Sequence, residues 1–159
     1  MKYPIMMMTL LFTVACGASN GEKPELPLAV DLLAVDRFCG HKDGLSIIDS
    51  ATPSALQPMV VTQTISKVKL DWTQSQVLRI NMGSQPNMGY SLGYSGGARY
   101  EDKRLIIPII WNRPEAGRMY AQMLVEPCLL LSIPRQGYES IEVIDQAGHL
   151  HWSLKGLNP

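Results

Sequence analysis

Several groups of residues have types and spacings that could carry chemistry. Gly93-Tyr94-Ser95-Gly96-Gly97 has the G-x-S-x-G pattern of a nucleophile elbow, and Asp102, Asp145, His149 and His151 follow it in the order Ser, Asp, His. That elbow requires a strand before the Ser and a helix after it. Here Ala98-Arg99-Tyr100-Glu101-Asp102-Lys103-Arg104 is a short charged connection to another apolar stretch. A Gly-rich hairpin is therefore expected, and a small hydrolase using Ser95 with His149 or His151 is the lesser alternative. His149 and His151 are two apart, so on a strand both point to one side, opposite Leu150 and Trp152. A metal would need further ligands there, and Asp145 and His41 are the candidates. Two solvent-facing imidazoles are the simpler expectation, with no metal and no cofactor. Glu101, Asp102, Glu115, Glu126, Glu139, Glu142 and Asp145 lie among turn residues or beside Arg and Lys, so no two form a matched acid and base.

The thiols divide by position. Cys39 and Cys128 are expected to form a disulfide in an oxidising compartment, closing a loop of about 90 residues. Two buried free thiols are the alternative. Catalytic use of Cys128 is disfavoured, because Pro127-Cys128-Leu129-Leu130-Leu131 is apolar and burial raises a thiol's pKa. Cys16 is different. Lys2 precedes an apolar run from Ile5 to Ala15 that is too short for a permanent membrane span, and Thr13-Val14-Ala15-Cys16 resembles a bacterial lipobox. Cys16 is then the lipidated residue after removal of residues 1–15, and Gly17 in place of Asp favours the outer membrane, facing the periplasm. Cleavage after Ala15 or Ala18 by an ordinary signal peptidase is the alternative.

The elements that must position these residues are mainly strands. The chain has 159 residues, 46% of them apolar and 18% charged, which suits one globular domain rather than a disordered chain. Fourteen cationic residues balance fourteen acidic ones, so there is no basic field for nucleic acid. Thirteen Gly and eleven Pro fit short strands broken by turns. Residues 16–27 are read as a lipidated terminus and linker, and 28–159 as the β-rich domain. Leu28 to Ser50 has apolar patches without clear period, and a short helix is expected over Ser54 to Gln63.

From Lys67 onward the pattern sharpens. Val77 to Met82 alternates, with Leu78, Ile80 and Met82 on one face and Arg79 and Asn81 on the other. Further strands are expected over Gly89–Tyr94, Leu105–Trp111, Gln122–Val125, Cys128–Ile133, Ser140–Asp145 and Leu150–Leu154, with Gln146-Ala147-Gly148 turning the last pair into a hairpin. Pro108 cannot donate to a ladder, so its strand is expected at an edge or with a bulge. The architecture that follows is a small antiparallel β-sandwich or barrel with little helix.

Between two of these strands, Gly83 and Gly89 bracket Ser84-Gln85-Pro86-Asn87-Met88, a loop of the kind that presents side chains to a partner. Gly83-Ser84-Gln85-Pro86-Asn87-Met88-Gly89-Tyr90, then Pro114-Glu115-Ala116-Gly117, Gln122-Met123-Leu124-Val125-Glu126-Pro127-Cys128 and Ser132-Ile133-Pro134-Arg135, resemble the carboxy-terminal domain of the protease complex subunit PrcB family. That family has G-x-x-P-x-x-G-Y before a strand and Q-x-x-x-x-P leading into an apolar strand that ends in Pro. Leu70-Asp71-Trp72 matches its entry to the domain, and Met88 stands where the family often has Gly. The resemblance spans roughly residues 70 to 145. It implies an envelope lipoprotein of mainly β structure, without catalytic residues, that associates with an envelope protein partner such as a protease. Gly83, Gln85, Pro86, Asn87, Gly89 and Tyr90 are then the partner-binding loop, with the Gly96-Gly97 turn beside it. The loop is also similar to the N-P-T-T-G-Y loop of chagasin-like cysteine-protease inhibitors. Their aromatic R-P-W element is not reproduced, since Glu115 follows Arg113-Pro114. Inhibition is the alternative function on this side.

Lipidation at Cys16 has a direct check. Cys16→Ala is expected to abolish incorporation of radiolabelled palmitate and to move the protein from the detergent phase to the aqueous phase on Triton X-114 partition; retention of label would refute the lipobox.

Overall fold

The computed structural model describes residues 29–50 and 67–157. The leader over 1–15, Cys16, the linker and the helix expected over Ser54 to Gln63 lie outside the described residues. Nine strands occur among those described, and no helix: β1 (Asp31–Asp36), β2 (Gly44–Ile48), β3 (Ser75–Asn81), β4 (Ser91–Tyr94), β5 (Arg99–Glu101), β6 (Arg104–Asn112), β7 (Cys128–Pro134), β8 (Ser140–Ile144) and β9 (Leu150–Lys155). They form two packed sheets. One has the order β1-β7-β3-β2; the other has the order β4-β6-β8-β9, with β5 also paired to β6. The protein is a small mainly-β sandwich.

Alternation in β3 sends Leu78 and Ile80 into the space between the sheets, where they meet Leu105, Ile107 and Ile109 of β6, Leu129, Leu131 and Ile133 of β7, and Ile141 and Val143 of β8. Every one of these is fully buried. β7 reads as a continuous apolar run for a second reason. It lies between β1 and β3, and its outward face is covered too, with Leu130 packed against Ile48 and Val77 and the half-buried Leu33, Ala34, Leu70 and Trp72. Tyr138 closes one end of the core. Its hydroxyl donates to the Pro134 carbonyl at 2.5 Å and accepts from Gln76 Nε2 at 2.7 Å, so the buried phenol is satisfied on both sides.

Four expectations are corrected. The second sheet is mixed rather than antiparallel: β6 and β8 run parallel, because the chain leaves β6 for the other sheet, forms β7 there and returns as β8. Side-chain alternation is the same in both directions and carries no information on this. Second, of the two places expected for Pro108, an edge strand or an irregularity, the edge is wrong: its strand is central, and the ladder is interrupted opposite Ile107 and Pro108. β5 pairs with Arg104 to Ile106 and β4 with Ile109 to Asn112, so Pro108 falls in the gap between two short partners, where no donor is required. Third, Gln122–Val125 forms no strand. Only Val125 pairs, with Gln85, and Pro86 next to Gln85 has no N–H with which to continue the ladder. Fourth, the Gly-rich hairpin expected at Gly93 to Gly97 does not form, since β4 and β5 both pair with β6 and not with each other. The segment before Ser50, within the region expected to be β-rich, holds two strands. A bulge between Leu32 and Ala34 breaks the period in β1.

The charged connection after Ala98 becomes a hairpin. Asp102 and Lys103 both have positive φ, 47° and 62°, as a two-residue turn of primed type requires, and Glu101 pairs with Arg104 across it. Cys39 and Cys128 form the disulfide, with Cα atoms 6.0 Å apart and a sequence separation of 89. Both residues are buried. Crosslinking a loop of that length restricts the unfolded chain by about 4 kcal/mol on the chain-entropy model. Thermal unfolding in reductant, or of the Cys39→Ala/Cys128→Ala double variant, should therefore show a loss of that order, and an unchanged midpoint would mean the bridge adds nothing.

Candidate functional site

The loop from Gly83 to Tyr90 is anchored before it begins. Asn81, at the end of β3, is buried; its Nδ2 donates to the carbonyls of Cys39 and Gly40 at 3.3 and 2.8 Å, and its Oδ1 accepts the Gly83 N–H at 2.9 Å. Gly83 needs to be glycine twice over, since φ is +72° and a Cβ would lie 3.0 Å from Asp43 Cβ. The loop is then fastened along its length to the segment leading into β7. Gln85 and Val125 exchange both backbone hydrogen bonds, at 2.7 and 3.0 Å, Met82 N–H donates to Pro127 at 2.9 Å, and Met88 N–H donates to Ala121 at 3.1 Å. Asn87 Oδ1 accepts the Gly89 N–H at 2.9 Å, and a Cβ on Gly89 would touch Pro114 and Tyr120 at 3.0 Å. Tyr90 packs on the core.

This loop therefore does not project freely. Ser84 and Pro86 are exposed, Gln85, Asn87, Met88, Gly89 and Tyr90 are half-buried, and Gly83 is buried. The exposed surface belongs to the segment lying across it, residues 113–124. That segment is braced internally: Arg118 NH1 pairs with Glu115 at 3.3 Å, Tyr120 Oη accepts the Glu115 N–H at 3.2 Å, and the Arg118 guanidinium sits 5.9 Å from the centre of the Tyr120 ring. Gly117, at φ +80°, supplies the left-handed residue of its turn. From this braced platform Met119 stands out 97% exposed and Leu124 67%, with Met123 beside them. Sequence reasoning placed Gln122–Val125 in a strand and so missed this apolar patch. The run Met119-Tyr120-Ala121-Gln122-Met123-Leu124, bounded by Gly117 and Pro127 and lacking alternation, was the available signal.

The other candidates sort as follows. Ser95 lies in the turn between β4 and β5, and its hydroxyl donates to the Pro108 carbonyl at 3.0 Å. The two imidazoles bond elsewhere, His151 Nε2 to Asp145 Oδ2 at 3.0 Å and His149 Nδ1 to the same oxygen at 3.3 Å. The structure thus brings Asp145, His149 and His151 together and does not join them to Ser95 by a hydrogen bond. His41 is bonded to Glu126 and Ser84 instead, not to the other two imidazoles. Among the described residues no group of three or more His, Cys, Asp or Glu is placed to hold a metal ion.

The Asp145 cluster holds the β8–β9 hairpin. Oδ1 of Asp145 accepts the backbone N–H groups of Ala147 and His149, each at 2.9 Å. The His151 ring stacks on Trp111 of β6, with centroids 4.0 Å apart and planes 14° from parallel, and Gln146 exchanges two hydrogen bonds with the Trp111 backbone. Desolvation pushes the Asp145 carboxyl up, but the His149 backbone N–H, the His151 ring, the Ala147 N–H and the His149 ring together outweigh it and hold the group well below its ordinary 3.8. No family model, no curated protein and no solved structure matches the chain.

A carboxyl depressed in the folded state stabilises it above the unfolded pKa, and that contribution is lost as pH falls. For Asp145 the loss begins below about pH 4 and deepens toward its folded value. The protection of amides in the β8–β9 turn, taken relative to the intrinsic exchange rate at each pH, should fall over this window, and Asp145→Asn should remove that fall while lowering protection at neutral pH. Identical pH profiles for the two proteins would refute the assignment.

Proposed function

We propose that this protein is a non-enzymatic, lipid-anchored envelope protein that binds a protein partner and serves as an accessory subunit of a surface or periplasmic protease complex. Cys16 is its anchor to the outer membrane. The observation carrying the proposal is that two of the segments of the PrcB resemblance meet in space: Gln85 and Val125, forty positions apart, exchange backbone hydrogen bonds, and beside them Met88 N–H donates to the Ala121 carbonyl. Together they build a braced surface with exposed Met119, Met123 and Leu124. Exposed apolar side chains are what a protein interface uses, and Met adapts to irregular partner surfaces. The partner-facing residues are accordingly Ser84, Pro86 and the 113–124 platform, with Gly83, Gln85, Asn87, Gly89 and Tyr90 supporting them from beneath.

The test is a detergent-solubilised pull-down of the tagged protein from its native envelope, with mass spectrometry of what co-purifies. A stoichiometric protease is expected. Met123→Asp/Leu124→Asp should reduce its recovery by about tenfold, as loss of a central apolar contact does, without changing the thermal midpoint. Ser95→Ala should leave recovery unchanged, and a serine-directed fluorophosphonate should not label the wild-type protein. Recovery of the domain alone, or labelling lost on Ser95→Ala, would overturn the proposal.

A further inference from the structure

The two seams of the sandwich are closed differently. Where β2 lies over β9, the apolar residues of the edge strand, Leu45 and Ile47, are packed on the core. Where β1 lies over β4, they are not. Leu32 and Val35 stand opposite Leu131 and Leu129 of β7 and so belong to the inward face, yet they are 47% and 50% exposed. Among the described residues β1 pairs with β7 alone. An edge strand with two inward aliphatic side chains half in water presents both a backbone ladder and a row of contacts for another strand.

The charges on β1 select what that strand can be. Its sequence is Asp31-Leu32-Leu33-Ala34-Val35-Asp36, apolar between two acids. A second copy added antiparallel about the middle of β1 would set Asp31 against Asp36 in both directions, and like charges directly opposite are destabilising. A strand with cationic ends meets no such repulsion, since each terminal Lys or Arg would face an aspartate. Asp31 also lies close enough to β4 for its charge to act on the Tyr94 hydroxyl across the seam.

We infer that β1 is the docking edge for an extended segment of a partner protein, one with aliphatic residues at alternate positions and Lys or Arg at its ends. The inference rests on the interaction-protein proposal and adds to it the secondary structure and charge of the bound segment. The added strand extends the four-stranded sheet and covers Leu32 and Val35. It is a second contact, distinct from the 113–124 platform.

The experiment is hydrogen exchange on the full-length lipidated protein in detergent, with two short synthetic peptides that alternate valine and threonine, one ending in lysines and the other in glutamates. The lysine peptide should slow exchange of β1 amides about tenfold, the protection that a newly paired edge acquires. The glutamate peptide should not. Leu32→Lys/Val35→Lys should remove the protection, and because both side chains are half-exposed the variant should keep its far-ultraviolet spectrum. Asp31→Lys, a surface change, serves as the second variant should the first not fold. No protection by either peptide, equal protection by both, or a concentration-dependent dimer that protects β1 without peptide would each overturn the inference. A native complex in which the platform is protected and β1 is not would overturn it while leaving the interaction-protein proposal standing. Peptide protection of β1 with no partner in the pull-down would support the edge and overturn the protease-complex proposal.

Discussion

Burial of β7 on both faces is the constraint on which the rest of the structure depends. Cys128, Leu129, Leu130, Leu131, Ser132 and Ile133 are all removed from water, so each backbone polar group of this strand must be paired within the protein. β3 and β1 supply that pairing, one on each side. The side chains divide between the main core and a smaller cluster on the outer face. The disulfide to Cys39 then ties the start of β7 to the chain just after β1, at the same end where Asn81 anchors the loop. A dry ladder, a covalent tie and a buried amide therefore converge at one end of the first sheet.

That convergence explains why the loop after β3 and the chain leading into β7 run side by side. The chain into β7 must pass Pro127 and reach Cys128 in a fixed register, and Met82, leaving β3, donates to the Pro127 carbonyl. The departing and arriving chains are held side by side, and the loops on either side continue the contact through Gln85 and Val125. The platform inherits its order from the core beneath it, which lets exposed Met and Leu side chains be presented without a helix or strand of their own.

The Asp145 cluster does the corresponding work in the second sheet. One carboxylate gathers two backbone N–H groups and two imidazoles, and Trp111 and Gln146 lock that hairpin onto β6. Two histidines spaced for one strand face were expected to face solvent. His149 does, whereas His151 is largely covered and stacks on Trp111, and both rings bond to the turn aspartate.

Much of the sheet content was legible from the residues. Alternation marked β3, apolar runs marked β6 and β7, and turn residues separated β8 from β9, because these patterns report on burial, which is local to each strand. The disulfide was expected once Cys16 was set aside as the lipobox residue and an oxidising compartment assumed, which left two cysteines to pair. Other features were not. The parallel pairing of β6 with β8 leaves no trace in side-chain alternation, the central place of Pro108 depends on two different strands ending on either side of it, and the bulge in β1 hides its period. The half-covered state of the Gly83–Tyr90 loop, the apolar platform over it and the open seam at β1 are likewise properties of which segments meet. Local pattern is enough to say that strands form and which of their faces are apolar; which strands are neighbours, in which direction they run and which apolar residues remain in water depend on contacts between residues far apart in the chain, which no local pattern records.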